Sequence, residues 1–172
     1  TSLLTCQSAR FIDTSSNAFT ITVTGDTKVQ PYNPFYTASI ASNGGSMYFD
    51  GSGDYLSVPS APNMNFGTSN WTIECWVYVS TRTANYPLIF GNNRGSFTTD
   101  ALAITNSNSD SASYNDKFVV AWGSGGWSSP SAGNSQLLVA NVTNNTGTWY
   151  HFALVRESRD RKSTRLNSSH LG

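Results

Sequence analysis

Alternation between apolar and polar residues organises this chain. Phe19-Thr20-Ile21-Thr22-Val23-Thr24 switches at every position, the two-residue period of a half-buried strand, and Gly25-Asp26 ends it with turn chemistry. Trp71 to Val79 repeats the pattern at greater length. Trp71, Ile73, Cys75, Val77 and Val79 share one face, while Trp76 and Tyr78 stand on the other among polar residues, so both faces are expected to be partly covered. Trp149 to Arg156 is apolar on both faces, which predicts a strand central in its sheet. Shorter strands are predicted at Ser2–Cys6, Met47–Phe49, Tyr55–Val58, Leu88–Phe90, Ala101–Thr105, Phe118–Trp122 and Leu137–Val142. Asn43-Gly44-Gly45, Asp50-Gly51-Ser52-Gly53-Asp54 and Gly123-Ser124-Gly125-Gly126 supply turns between them. No segment carries a helical period. The prediction is an all-β fold, an antiparallel two-sheet sandwich or jelly roll.

Composition agrees. At 172 residues the chain suits one domain with a sizeable core. Only 12% of residues are charged and 13% are aromatic, a mix for packed strands and polar turns rather than disorder. The formal net charge is zero, which gives no attraction to nucleic acid, and no apolar run is long enough to span a bilayer. Cys6 and Cys75 either pair or serve as small buried apolar residues, and spacing alone does not decide between these. Thr1 opens into an apolar stretch with neither an initiator Met nor a signal peptide, so the chain is expected to be a fragment of a longer reading frame.

The end of the chain changes character. Arg159, Arg161, Lys162 and Arg165 follow a charge-poor sequence, which suggests a solvated basic tail or a nucleic-acid arm. A third reading is favoured: Asp160 to His170 back-translates into a string resembling the adapter oligonucleotide used in short-read sequencing. Residues 160–172 are therefore expected to be an artefactual tail, and 1–159 the domain. Without the tail the chain is slightly acidic and His151 is its only histidine.

Four ordered motifs carry a family resemblance. Ser46-Met47-Tyr48-Phe49-Asp50-Gly51-Ser52-Gly53-Asp54-Tyr55-Leu56-Ser57-Val58-Pro59 resembles the opening hairpin of concanavalin A-like, laminin G-type jelly rolls. Asn70 to Tyr78 resembles their "FTIE-x-W-V" strand, Leu88-Ile89-Phe90-Gly91 the next short strand, and Gly147 to Arg156 the "W-x-H-h-A-h-x-R" strand. Upstream, Leu3 to Cys6 and Phe11 to Asn17 resemble the versions found in tailed-phage and marine-virus structural proteins. The resemblance covers roughly residues 2–156. Its later "YVNG" hairpin and closing strands have no counterpart here, which implies a domain incomplete at its C-terminal end.

The resemblance implies binding rather than catalysis. Hydrolases of this fold need two neighbouring carboxylates, but the only glutamates are Glu74 and Glu157, far apart in sequence. A nucleophile pair of Cys6 or Cys75 with His151 is the one other catalytic option, and a weak one, since His151 falls in a sheet motif. Zinc-ligand spacing is absent. The family often holds Ca²⁺ in loops at one end. The resemblance would place Asp100 as a ligand, with Asn92 and Asn93 as helpers, though all three residue types are also ordinary turn formers. Asp110 and Asp116 read as parts of a solvated loop.

Sugar recognition uses an aromatic face with amide and carboxylate groups beside it. Tyr114, Asn115, Asp116 and Trp127 are the candidate ligand contacts. Trp122 is assigned to the core, and Trp127 is either a ligand contact or a cover for a sheet edge. Asn70, Asn141 and Asn144 begin glycosylation triplets, which mean nothing in a viral or bacterial protein. The expected function is a carbohydrate- or surface-binding module of a phage virion adhesin, virion-borne or extracellular. Its partners would be a cell-surface glycan and other virion proteins, with no nucleic acid and no membrane insertion. A structural spacer is the alternative, and a glycan-cleaving enzyme a remote third.

Overall fold

The structure, a computed structural model, describes residues 2–5, 10–35, 45–64, 66, 69–82, 87–92, 102–107, 116–122, 136–140, 142–157 and 164–170. It is all-β with antiparallel sheets, apart from one turn of 3-10 helix at Pro62–Met64. The chain forms two compact units, Thr1–Met64 and Asn65–Gly172.

Among its described residues the first unit holds four strands of three residues: β1 (Thr22–Thr24), β2 (Lys28–Gln30), β3 (Ser46–Tyr48) and β4 (Tyr55–Ser57). β1 pairs with β4 and β2 with β3. The strand predicted from Phe19 starts only at Thr22, because the Phe19 amide is already engaged. Asp13, buried at 9% exposure, accepts hydrogen bonds from the Leu4, Ser15 and Phe19 amides and from the Ser15 hydroxyl. The same network accounts for residues 2–5, which form no strand: Leu4 donates to Asp13 Oδ1 and accepts from Thr14 N at 2.8 Å. Burial works against the charged carboxyl, but these donors outweigh it and hold its pKa down at about 2.

The second unit is a two-sheet sandwich. β5 (Trp71–Tyr78), β10 (Trp149–Arg156) and β11 (Thr164–His170) form one sheet in the order β11-β10-β5. β6 (Leu88–Gly91), β7 (Leu102–Ser107), β8 (Lys117–Trp122) and β9 (Gln136–Val139) form the other in sequence order. β10 is central, as its two apolar faces predict. Residues 164–170, set apart from the fold on codon grounds, run beside β10 as β11. An extended segment pairs through its backbone, whatever its side chains, wherever an edge presents open N–H and C=O groups.

The core lies between these two sheets. Leu102, Ile104, Phe118 and Val120 from one meet Tyr150, Phe152 and Leu154 from the other, all at most 2% exposed. Phe118 packs edge-on against Phe152 at 5.5 Å and Tyr150 at 6.0 Å between centroids. Trp122 sits where its sequence context assigns it, against Trp71 at 5.7 Å, with the Arg156 guanidinium 4.4 Å over its ring. Cys75 packs against the same cluster, and Cys6 lies outside the described residues.

Three connections of the sandwich meet at Arg82, whose side chain is 11% exposed. Its guanidinium donates to the backbone carbonyl and side-chain Oδ1 of Asn144 and lies 3.1 Å from Asp116 Oδ1. Asn144 is fully buried and donates its amide to the Asp116 carbonyl, while Tyr150 Oη accepts from Asn145 N. The ends of the β5–β6, β7–β8 and β9–β10 connections are thus tied by one cation.

Three outcomes follow from these contacts. Phe152→Ala should lower unfolding free energy by about 3–5 kcal/mol in urea titrations, the cost of a large core cavity. Arg82→Ala should cost about 2–3 kcal/mol by the same measurement, because buried acceptors at Asn144 lose their donor. Asp13→Asn should accelerate hydrogen exchange at Leu4, Ser15 and Phe19. Since the folded carboxyl pKa is lowered from 3.8 to about 2, wild-type protection there should be complete above pH 3.8 and fade as pH falls toward 2.

Candidate functional site

Core packing on one side of β5 and β10 dictates what the other side displays. On β5, Ile73, Cys75 and Val77 turn to the core, so alternation sends Glu74, Trp76 and Tyr78 outward. On β10, Tyr150, Phe152 and Leu154 turn inward, and Trp149, His151, Ala153 and Val155 outward. The antiparallel register sets these outward residues side by side: Trp149 opposite Tyr78, His151 opposite Trp76, Ala153 opposite Glu74 and Val155 opposite Thr72.

Four rings therefore form two cross-strand pairs on one sheet face. Tyr78 and Trp149 have centroids 5.4 Å apart, and Trp76 and His151 5.0 Å apart. The two rows are separated by about 7 Å, two residues along a strand. All four residues are half-buried, covered enough to be held and exposed enough to be touched. Beside them, His151 Nε2 stands 3.5 Å from Glu74 Oε1. Small Ala153, directly across from Glu74, raises no wall over the carboxylate. Aromatic faces, an imidazole and a carboxylate on a rigid sheet can stack on a flat apolar ligand surface and bond its hydroxyls or amines. The Cys75–His151 option is absent from this geometry, because Cys75 faces the core and His151 the opposite side.

Trp127, Tyr114, Asn115, Asp100 and Asn93 lie outside the described residues. Asp116 is described, just before β8, with a φ of 55° and its carboxylate against Arg82. Asn92 closes the β6–β7 connection: its Oδ1 accepts from Leu102 N at 2.8 Å and its amide donates to Leu102 O. Both side chains thus have local work at strand ends. The sheet-face site was visible in part, since Trp76 and Tyr78 read as a second face of their strand. Their neighbours Trp149 and His151 depend on the pairing register, which no local pattern in the chain states.

One cluster of carboxylates, unforeseen in the sequence, lies in the first unit. Asp26, Asp50 and Asp54 bring ligand oxygens within 4.8 Å of one another. Asp54 accepts from the Asp26 and Asp50 amides, and Lys28 lies 3.0 Å from Asp26 Oδ2. Gly25, at φ +81°, is required here, since a Cβ would collide with Asp54 Oδ1. The arrangement reads as a closed turn with a counter-ion: hydrogen bonding and charge from Asp26 raise the Lys28 pKa above its usual value.

No described helix is long and apolar enough to cross a membrane. No curated protein and no solved structure matches the chain. A family model described as the concanavalin A-like lectin/glucanases superfamily matches residues 50–166, more than half of the sequence. It takes in the β3–β4 turn, the whole four-stranded sheet and both strands of the aromatic face. The chain belongs to the concanavalin A-like lectin/glucanases superfamily.

Proposed function

We propose that the chain is a non-catalytic glycan-binding module whose ligand lies across the outward face of β5 and β10. The observation that carries this reading is the doubled row of rings, Tyr78 with Trp149 and Trp76 with His151, on one rigid sheet face. Pyranose rings present a flat C–H surface that stacks on such faces, and rings preset by cross-strand packing lose little freedom on binding. A superfamily of lectins and glucanases is compatible with binding or hydrolysis. Binding is favoured because retaining and inverting hydrolysis both take two carboxyl groups flanking the bond. Glu74 has a histidine as its neighbour and an alanine across from it.

The biological setting follows the motif resemblance: a module of a phage virion or tail adhesin, displayed on the particle or outside the cell, with a cell-surface glycan as partner and other virion proteins as neighbours. Weak single contacts would be made effective by many copies per particle. Ligand contacts from Trp127, Tyr114 and Asn115, and Ca²⁺ held by Asp100 with Asn92 and Asn93, belong to the same proposal as loop contributions.

A glycan array probed with the whole chain tests this. Binding to at least one glycan is expected, and Trp76→Ala and Trp149→Ala should each weaken it about tenfold by titration, the loss of one stacked ring. A folded protein that binds no glycan, or one indifferent to both substitutions, would return the chain to the spacer reading.

A further inference from the structure

We infer that the glycan carries free amino groups: the sheet face selects a cationic hexosamine oligomer over neutral or acidic sugars. This rests on the sheet-face reading above and adds the charge of the ligand to it. Among the eight outward positions of β5 and β10, Glu74 is the sole carboxylate and no Lys or Arg occurs. On the third strand, Arg165 of β11 holds the register position opposite Val155, one strand further from β5 and two residues along from the row of Glu74 and Ala153. The Glu74 side chain is 62% exposed. His151 approaches one oxygen, Oε1, and among the described residues no hydrogen bond is recorded for Oε2. The neighbouring position across the ladder is only a methyl, Ala153, so a substituent of the sugar has room above it to reach that oxygen.

The rings act in the same direction as the carboxylate. Each aromatic face is the negative side of its quadrupole, which attracts cations as well as C–H groups. A protonated amine on a stacked pyranose would meet π-density beneath and a carboxylate beside it, a charge-assisted contact stronger than a neutral one. An acetamido group at the same place keeps the stacking and loses the charge. A uronate, sulfate or sialic acid at the same place meets the like charge of Glu74 instead.

The test is calorimetric titration of the full chain with three tetramers of equal length: glucosamine, N-acetylglucosamine and galacturonic acid, in one buffer below the amine's pKa. The glucosamine tetramer should bind about tenfold more tightly than its acetylated form, the scale of one charge-assisted contact, with galacturonate unbound. Added sodium chloride should weaken the glucosamine complex selectively. Glu74→Gln, an isosteric change at an exposed position, should remove the amine preference, so that the glucosamine and acetylated tetramers bind this variant with equal affinity. A trimethylated glucosamine tetramer, permanently charged but without an N–H to donate, repeats the comparison at neutral pH and should keep the part of the preference that comes from charge and ring contact.

If wild type binds the amine and acetyl forms equally, or Glu74→Gln retains the preference, the charge selection is overturned. The sheet-face reading then still stands provided Trp76→Ala weakens binding of both about tenfold. Tight galacturonate binding would overturn the selection as well. If no tetramer and no arrayed glycan binds to folded protein, the sheet-face reading fails and the amine preference falls with it.

Discussion

The two-residue period of β10 is the constraint on which this molecule turns. Tyr150, Phe152 and Leu154 must enter the core because they are the fully buried residues that this sheet sets against Phe118 and its neighbours, Tyr150 and Phe152 meeting the Phe118 ring edge-on. Once they are placed, Trp149 and His151 have one direction left to them. A slip of one residue would bury an imidazole and expose Phe152, at a cost that no turn could offset. The outward rings are therefore positioned by apolar packing on the far side of the sheet. Their precision is borrowed from the core.

Polar groups complete the frame with economy. A chain with so few charges concentrates them at junctions. Arg82 ties three connections through Asn144 and Asp116, and Asp13 gathers donors from three backbone amides. In both cases a single charged side chain replaces hydrogen bonds that regular ladders would otherwise supply. Lys28 and Asp26 play a smaller version of the role beside the Asp54 turn. Glu74 differs from all of these, since its carboxylate supports no turn and faces solvent.

Much of the strand pattern could be read from local alternation. Trp149 to Arg156 matches β10 residue for residue, and Trp71 to Tyr78 falls within the predicted strand. The motifs around Asp50 and Trp71 also pointed to the family. What stayed hidden was non-local. β2, at Lys28–Gln30, has only three residues and one apolar position, so its pairing with β3 leaves no periodic trace. Phe19 looked like a strand residue because the pattern does not reveal that Asp13 has taken its amide. For the site, Trp76 and Tyr78 were legible as a second face, while Trp149 and His151 join them through a register that only the folded sheet defines. Residues such as Trp127, in a Gly/Ser-rich stretch of sequence, attract attention for lack of a period, whereas the ring pairs hide inside strands that already have a structural explanation.

The order of pairing has a consequence for how the chain folds. β6, β7, β8 and β9 are joined to consecutive neighbours, so their sheet can zip up by short loop closures. β5 pairs instead with β10, which is made only after that whole meander. Loop-closure entropy makes such distant pairings slow. During synthesis Ile73, Cys75 and Val77 must therefore wait, uncovered, while four later strands emerge. The same strand that presents the rings in the finished protein is the one most in need of protection, by a chaperone or by rapid elongation, before its partner arrives.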